Sequence, residues 1–303
     1  MESQIIAVIK AIVYGIVEGV TEWLPISSTG HLIILDSFFG TSKMYGAGFW
    51  EFFLVVIQLG AILAVIVGFF KELNPINPKL TTKERNNIFV VWLKIIIGVI
   101  PAGIVGVIFE LLDVTEAIDN VLVVATTLLV YGILFILIEL NRKRRDAKVV
   151  LLKELNFYST GHSLYKYDTV DDLDYKIVMA IGIAQILSLI PGTSRSGITI
   201  LAALLLGCSR TCASQFSFYL SIPIMLGASI IKFVSFFRDG INVGVNEIIY
   251  LAVGIVFAFI TSILIIKSLM KFIRKHTFIG FGYYRIALSI VLFALFGFGL
   301  ISY

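Results

Sequence analysis

Residues 14–30 read YGIVEGVTEWLPISSTG, and residues 181–197 read IGIAQILSLIPGTSRSG. Laid over one another at an offset of 167 residues, the two stretches align without a gap. Gly15 meets Gly182, Ile16 meets Ile183, Ser27 meets Ser194 and Gly30 meets Gly197, while Glu18 meets Gln185 and Thr29 meets Ser196. The same offset sets Ile57-Gln58-Leu59-Gly60-Ala61 over Ile224-Met225-Leu226-Gly227-Ala228. In each copy an apolar run stops at a proline and restarts after hydroxyls and a glycine. Proline breaks a helix and serine caps the next one, so each copy predicts two short helices around a polar break. At membrane depth such a break is tolerated only inside protein or beside a wet cavity.

The rest of the chain supplies the membrane. Hydrophobic residues make up 58% of the 303 residues and charged residues 15%, against about 45–50% and 25% in soluble domains. Residues 52–70, 117–138 and 248–266 are nearly free of charge and long enough to cross a bilayer. The chain reads as an all-α polytopic membrane protein, which excludes a disulfide scaffold and a soluble enzyme. The net charge of +4 comes from basic stretches beside apolar spans, so no nucleic-acid partner is expected. Cys208 and Cys212 are expected as buried thiols, and His162 and His276 as surface residues. No basic n-region or small-residue cleavage pattern marks the first apolar run, which reads as part of the mature fold.

Charge also predicts the sides. Arg142, Lys143, Arg144, Arg145, Lys148 and Lys153 follow one span, and Lys267, Lys271, Arg274 and Lys275 follow another. Both loops, and 71–87, are expected in the cytoplasm. The link carrying Glu110, Asp113, Glu116 and Asp119, and the stretch 236–246, then fall outside. If the two copies are re-entrant helical hairpins, six spanning helices remain and both termini lie outside. Three crossings between the copies, an odd number, turn the second upside down, which is an inverted repeat. The expected organisation is a first repeat over 1–140, a cytoplasmic connection over 141–173 and a second repeat over 174–303.

The polar residues at the breaks carry the chemistry. Glu18 and Glu22 are one helical turn apart, so both carboxylates share a face and repel unless paired, protonated or bound to a cation. Carboxylates suit Mg²⁺ or Ca²⁺. Ser27, Ser28, Thr29 and His31 follow Pro25; a helix starting near Ser28 would favour an anion at its free amides. His31 suits proton transfer near neutral pH. The second break holds Arg195, whose planar fork matches phosphate oxygens, with Ser194, Ser196 and Thr199 as further donors. Intramembrane arginines are costly and usually functional. A structural alternative is an Arg195–Glu18 ion pair holding the halves together.

Taken together, Glu18-Gly19-Val20-Thr21-Glu22, the stretch 24–31 (LPISSTGH), Val56-Ile57-Gln58-Leu59-Gly60 and Pro191 through Thr199 (PGTSRSGIT) resemble the signatures of the bacitracin-resistance family of undecaprenyl-diphosphate phosphatases, over essentially the whole chain. The resemblance implies interlocked inverted repeats with six spanning helices and two re-entrant pairs. It implies removal of the terminal phosphate of a C55 polyprenyl diphosphate at the outer face of the cell membrane, recycling the cell-wall lipid carrier. Glu18, Glu22, Ser28, His31 and Arg195 are then the catalytic set, Ser27, Thr29, Ser194, Ser196 and Thr199 the phosphate-binding set, and Glu18 with Glu22 the ligands of a divalent cation. Ser28 attacks or orients the attacking water, and His31 moves the proton. The expected partners are the lipid substrate and membrane lipids, with a homodimer left open. A lipid-phosphate carrier or flippase using the same midplane anion site is the rival class.

Overall fold

The computed structural model describes residues 4–42, 47–112, 114–154, 165–238 and 244–301. His162, Asp113 and residues 239–243 lie outside them. Among the described residues the main helices are α1 (Gln4–Thr21), α2 (Ser28–Phe39), α3 (Ala47–Gly68), α4 (Thr82–Leu111), α5 (Val121–Glu154), α6 (Tyr175–Gln185), α7 (Arg195–Leu205), α8 (Arg210–Arg238), α9 (Val245–Ile273) and α10 (Ile279–Gly297). Seven of them, α1, α3, α4, α5, α8, α9 and α10, are long and apolar enough to cross a bilayer. The chain is an all-α, multi-pass membrane protein. α2, α6 and α7 have only 12, 11 and 11 residues, too few to span.

The helices separate a lipid side from a protein side. On α4, Phe89, Leu93, Ile96, Ile100 and Ile104 are exposed at spacings of three and four, which makes one stripe. The opposite stripe, Val91, Ile95, Gly98 and Ala102, is buried. In a bilayer the exposed stripe meets acyl chains at no hydrophobic cost. α4 starts at a capping box: Thr81 Oγ1 accepts from the Glu84 amide at 3.3 Å, and the Thr81 amide donates to Glu84 Oε2 at 2.8 Å.

The packing crosses the two halves. α1 lies against α9, and α6 lies against α4. α3 packs on α9 and on α8, α8 also packs on α4, and α5 pairs with α10. The first helix of each half thus rests on the fourth helix of the other. Glycine permits both contacts: a Cβ on Gly15 would strike the Gly254 carbonyl oxygen, and one on Gly182 would strike that of Gly98.

Both polar breaks fold alike. Ser27 (φ 73°) and Ser194 (φ 70°) are the non-glycine residues with positive φ among those described. Each caps the helix that follows it: Ser27 Oγ accepts from the Gly30 amide at 3.5 Å, and Ser194 Oγ from the Gly197 amide at 3.1 Å. Positive φ costs a serine of order 1–3 kcal/mol and persists only where surrounding contacts enforce it.

Residues 165–174 pack back onto the helices. Tyr167, Val170 and Leu173 are buried there, and Lys94 Nζ donates to the Val170 and Asp171 carbonyls at 3.0 and 2.7 Å. Arg142, at the head of the basic cluster expected in a cytoplasmic loop, is buried and donates to the Leu204 and Cys208 carbonyls. It satisfies the carbonyl end of α7. Arg210 forks onto the fully buried Glu139 at 2.8 and 2.6 Å. Cys208 and Cys212 are free and buried, as expected, and His276 is exposed.

Candidate active site

The two breaks bring the start of α2 and the start of α7 together. Glu22 is the centre of the junction. It continues the last turn of α1, its amide donating to the Glu18 carbonyl at 3.0 Å. Its Oε1 accepts from Arg195 Nη2 at 3.0 Å, and its Oε2 accepts from Ser28 Oγ at 3.1 Å. Ser196 Oγ donates to the Glu22 carbonyl at 3.0 Å. One carboxylate therefore joins Ser28 to Arg195, a residue 173 positions from Glu22 itself.

Arg195 is held on several sides. Nη1 donates to the Ser217 carbonyl at 2.9 Å, and the guanidinium lies 5.8 Å from the Trp23 ring centroid. Thr199 Oγ1 donates to the Arg195 carbonyl at 2.9 Å and lies 2.6 Å from Ser217 Oγ. Ser194 Oγ lies 3.2 Å from Ser196 Oγ. The ion pair suggested by sequence, Arg195 with Glu18, is not the one formed; the partner is Glu22. The two carboxylates are four positions apart, and only Glu22 lies past the end of α1, where it meets α7.

Glu18 is fully buried, and both its oxygens lack a hydrogen-bond partner. A buried carboxylate in that state needs a proton or a cation. This fits a divalent cation. Among the described residues no group of three or more His, Cys, Asp or Glu side chains gathers here. A cation would complete its shell with ligand oxygens and water, as Mg²⁺ commonly does. Gln185, at the position matching Glu18 in the second copy, is likewise fully buried with both amide atoms unpartnered.

His31 lies on the first turn of α2. Its Nδ1 is 2.7 Å from the Ser27 carbonyl, which can only accept, so Nδ1 carries the proton. Its Nε2 is 2.7 Å from the Tyr284 hydroxyl, and the two rings are stacked with an interplanar angle of 5°. Nε2 is then an acceptor to which Tyr284 donates. Thr29 is half-buried on α2, and among the described residues no hydrogen bond joins it to this network.

Three participants escaped the sequence analysis. Arg285 on α10 is fully buried, and among the described residues no carboxylate pairs with it. Its Nη1 donates to the Pro25 carbonyl at 3.2 Å, and its Nη2 to the Gly192 and Thr193 carbonyls at 3.0 Å each. One guanidinium thus grips both polar breaks. Tyr284 and the Ser217 carbonyl are the other two. Arg285 and Tyr284 stand inside the apolar run 282–302, where a charged or polar residue is itself a signal. Ser217 acts partly through its backbone, for which no residue type is a marker.

The arrangement is a polar junction inside a membrane protein, holding the kinds of group that anion binding and phosphoryl chemistry use. Two helix N-termini and two guanidiniums supply positive potential, and hydroxyls supply donors. Glu22 and Glu18 supply the carboxylates that acid–base or metal-assisted phosphoryl chemistry uses. The family model described as Bacitracin resistance protein BacA matches residues 11–291. An undecaprenyl-diphosphatase 1 from Clostridioides difficile (strain 630) is 44% identical over 292 residues, covering 96% of this chain and 97% of its own. An undecaprenyl-diphosphatase from Enterococcus faecalis (strain ATCC 700802 / V583) is 44% identical over 284 residues, covering 93% and 95%. One from Streptococcus thermophilus (strain ATCC BAA-250 / LMG 18311) is 44% identical over 288 residues, covering 95% and 92%. The chain belongs to the bacitracin-resistance protein family.

Proposed function

We infer that the chain hydrolyses undecaprenyl diphosphate to undecaprenyl phosphate and orthophosphate, in keeping with the name undecaprenyl-diphosphatase that its relatives carry. The observation that carries this reading is the Glu22–Arg195–Ser28 junction between two capped helix starts. The prenyl tail stays in the bilayer and the diphosphate enters the junction. Arg195, Ser194, Ser196 and Thr199 bind its oxygens and neutralise the charge that develops during phosphoryl transfer. Arg195 pairs with Glu22, so binding exchanges that carboxylate for substrate oxygens. Ser28, already donating to Glu22, is set to lose its proton as nucleophile or to orient water. His31 Nε2 moves a proton, with Tyr284 fixing its ring. Ser27 and Thr29 contribute at the start of α2.

Glu18 and Glu22 would hold Mg²⁺ or Ca²⁺, which supplies charge neutralisation for the diphosphate. Chelation should stop phosphate release, and added Mg²⁺ or Ca²⁺ should restore it. Glu18→Gln should raise the cation concentration needed for half-maximal activity. Full activity of Glu18→Gln in chelator would remove the cation from the account.

The finer architecture is part of the same reading. Six helices span, and α1–α2 and α6–α7 form re-entrant hairpins of inverted repeats over 1–140 and 174–303. The matched positive φ of Ser27 and Ser194 and the crossed packing support it. The loop 141–173 faces the cytoplasm and the site opens to the outer face. In a protein carrying Cys208→Ala and Cys212→Ala, a cysteine at 145 or 272 should resist a membrane-impermeant thiol reagent, and one at 119 should react. Labelling of 145 from outside would reverse the orientation. The carrier reading shares the site but not the product. Orthophosphate release in detergent, where no gradient exists, separates the two.

A further inference from the structure

One feature at the far end of α9 lies outside the active site. Lys267, Lys271 and Arg274 stand one and two helical turns apart on the stripe that also carries Ile266 and Met270. They border a groove of about 340 Å³ between α9 and the end of α3, whose opposite wall includes Phe69. All three cations are exposed, no acidic residue lines the groove, and among the described residues none of the three is ion-paired. The wall beside Gly68 is open, because a Cβ there would meet nothing within 4 Å.

We propose that this groove binds the headgroup of an anionic glycerophospholipid from the leaflet at that end of the bundle. The phosphate sits among Lys267, Lys271 and Arg274, and an acyl chain runs along Ile266 and Met270 past Gly68. Charge complementarity selects the anion, since three cations without a counter-carboxylate need one. The apolar wall selects a lipid over a soluble anion. Basic clusters where a spanning helix leaves the bilayer attract anionic lipids in general. Here the cations also border a cavity, which turns diffuse attraction into a site.

The test is native mass spectrometry of the full-length protein released from micelles containing phosphatidylglycerol and phosphatidylcholine. The protein should retain phosphatidylglycerol preferentially. Lys267→Gln/Lys271→Gln/Arg274→Gln should bind it roughly 100-fold more weakly. Gly68→Phe, which fills the groove and leaves every charge in place, should also lose retention. Lys143→Gln/Arg144→Gln/Arg145→Gln, on the other exposed basic segment, should retain it. Orthophosphate release should persist in all three variants, which keeps this result separate from the active-site reading. Equal loss in the 143–145 variant, or full retention in Gly68→Phe, would reduce the effect to diffuse attraction and overturn the site. Displacement by inorganic phosphate, or retention of a polyprenyl monophosphate in place of phosphatidylglycerol that is lost in Lys267→Gln/Lys271→Gln/Arg274→Gln, would overturn the assigned occupant.

Discussion

Arg195→Lys should remain folded and release orthophosphate roughly 10²–10³-fold more slowly, the usual cost of one lost transition-state contact. Lysine keeps the charge but is a single point donor group. It cannot reproduce a planar fork that spans Glu22 Oε1 and the Ser217 carbonyl, 3.0 and 2.9 Å away. Arg195→Ala should be slower still and should also melt lower, because Glu22 is left as a buried, uncompensated carboxylate. Breaking such a pair typically costs about 3–5 kcal/mol. Adding Glu22→Gln to the alanine variant should recover much of that stability and none of the activity. Turnover and detergent-solubilised melting on the same proteins distinguish a catalytic guanidinium from a strut. Near-normal turnover in Arg195→Lys would remove Arg195 from the catalytic set.

Arg285→Met should lose both activity and stability. Methionine fills similar space without donors, so the carbonyls of Pro25, Gly192 and Thr193 lose their partner inside the protein. An orphaned buried acceptor costs about 1–3 kcal/mol, so three amount to several kcal/mol. The two turns they belong to also hold Ser27 and Ser194 at positive φ. Without Arg285 the strain can relax, and the relaxation would carry Ser28 and Arg195 out of register. Arg285 is thus a positioning residue. Arg285→Lys should regain part of the melting temperature and less of the turnover, since one ammonium cannot satisfy both turns in their present geometry. An Arg285→Met protein that melts and turns over like the parent would refute this role.

Much of this was legible in the residues alone. The apolar runs, the Pro25 and Pro191 breaks and the 167-residue offset are patterns of composition and spacing, and they lead to the helices observed. Glu22, Ser28, Arg195 and Ser196 could be chosen because charge and hydroxyls are rare in membrane-length segments. Which carboxylate would meet Arg195 was not legible. Glu18 and Glu22 share a face, and the choice depends on where α1 ends. The positive φ of two serines was hidden as well, because such a backbone is expected of glycine or asparagine rather than serine. Arg285 could have been flagged by the same rule as Arg195. No sequence motif surrounds it, because it bonds to carbonyls and not to side chains.

The most direct measurement follows the terminal phosphate. Polyprenyl diphosphate labelled at that phosphate is given to the purified protein in detergent with Mg²⁺, beside an Arg195→Lys protein of matched folded content. The parent should release the label as orthophosphate, in equal amount to polyprenyl monophosphate, and the variant should release it roughly 10²–10³-fold more slowly. A parent protein that binds the lipid and leaves its label in place, or a variant as fast as the parent, would contradict a phosphatase site built at the junction of α2 and α7.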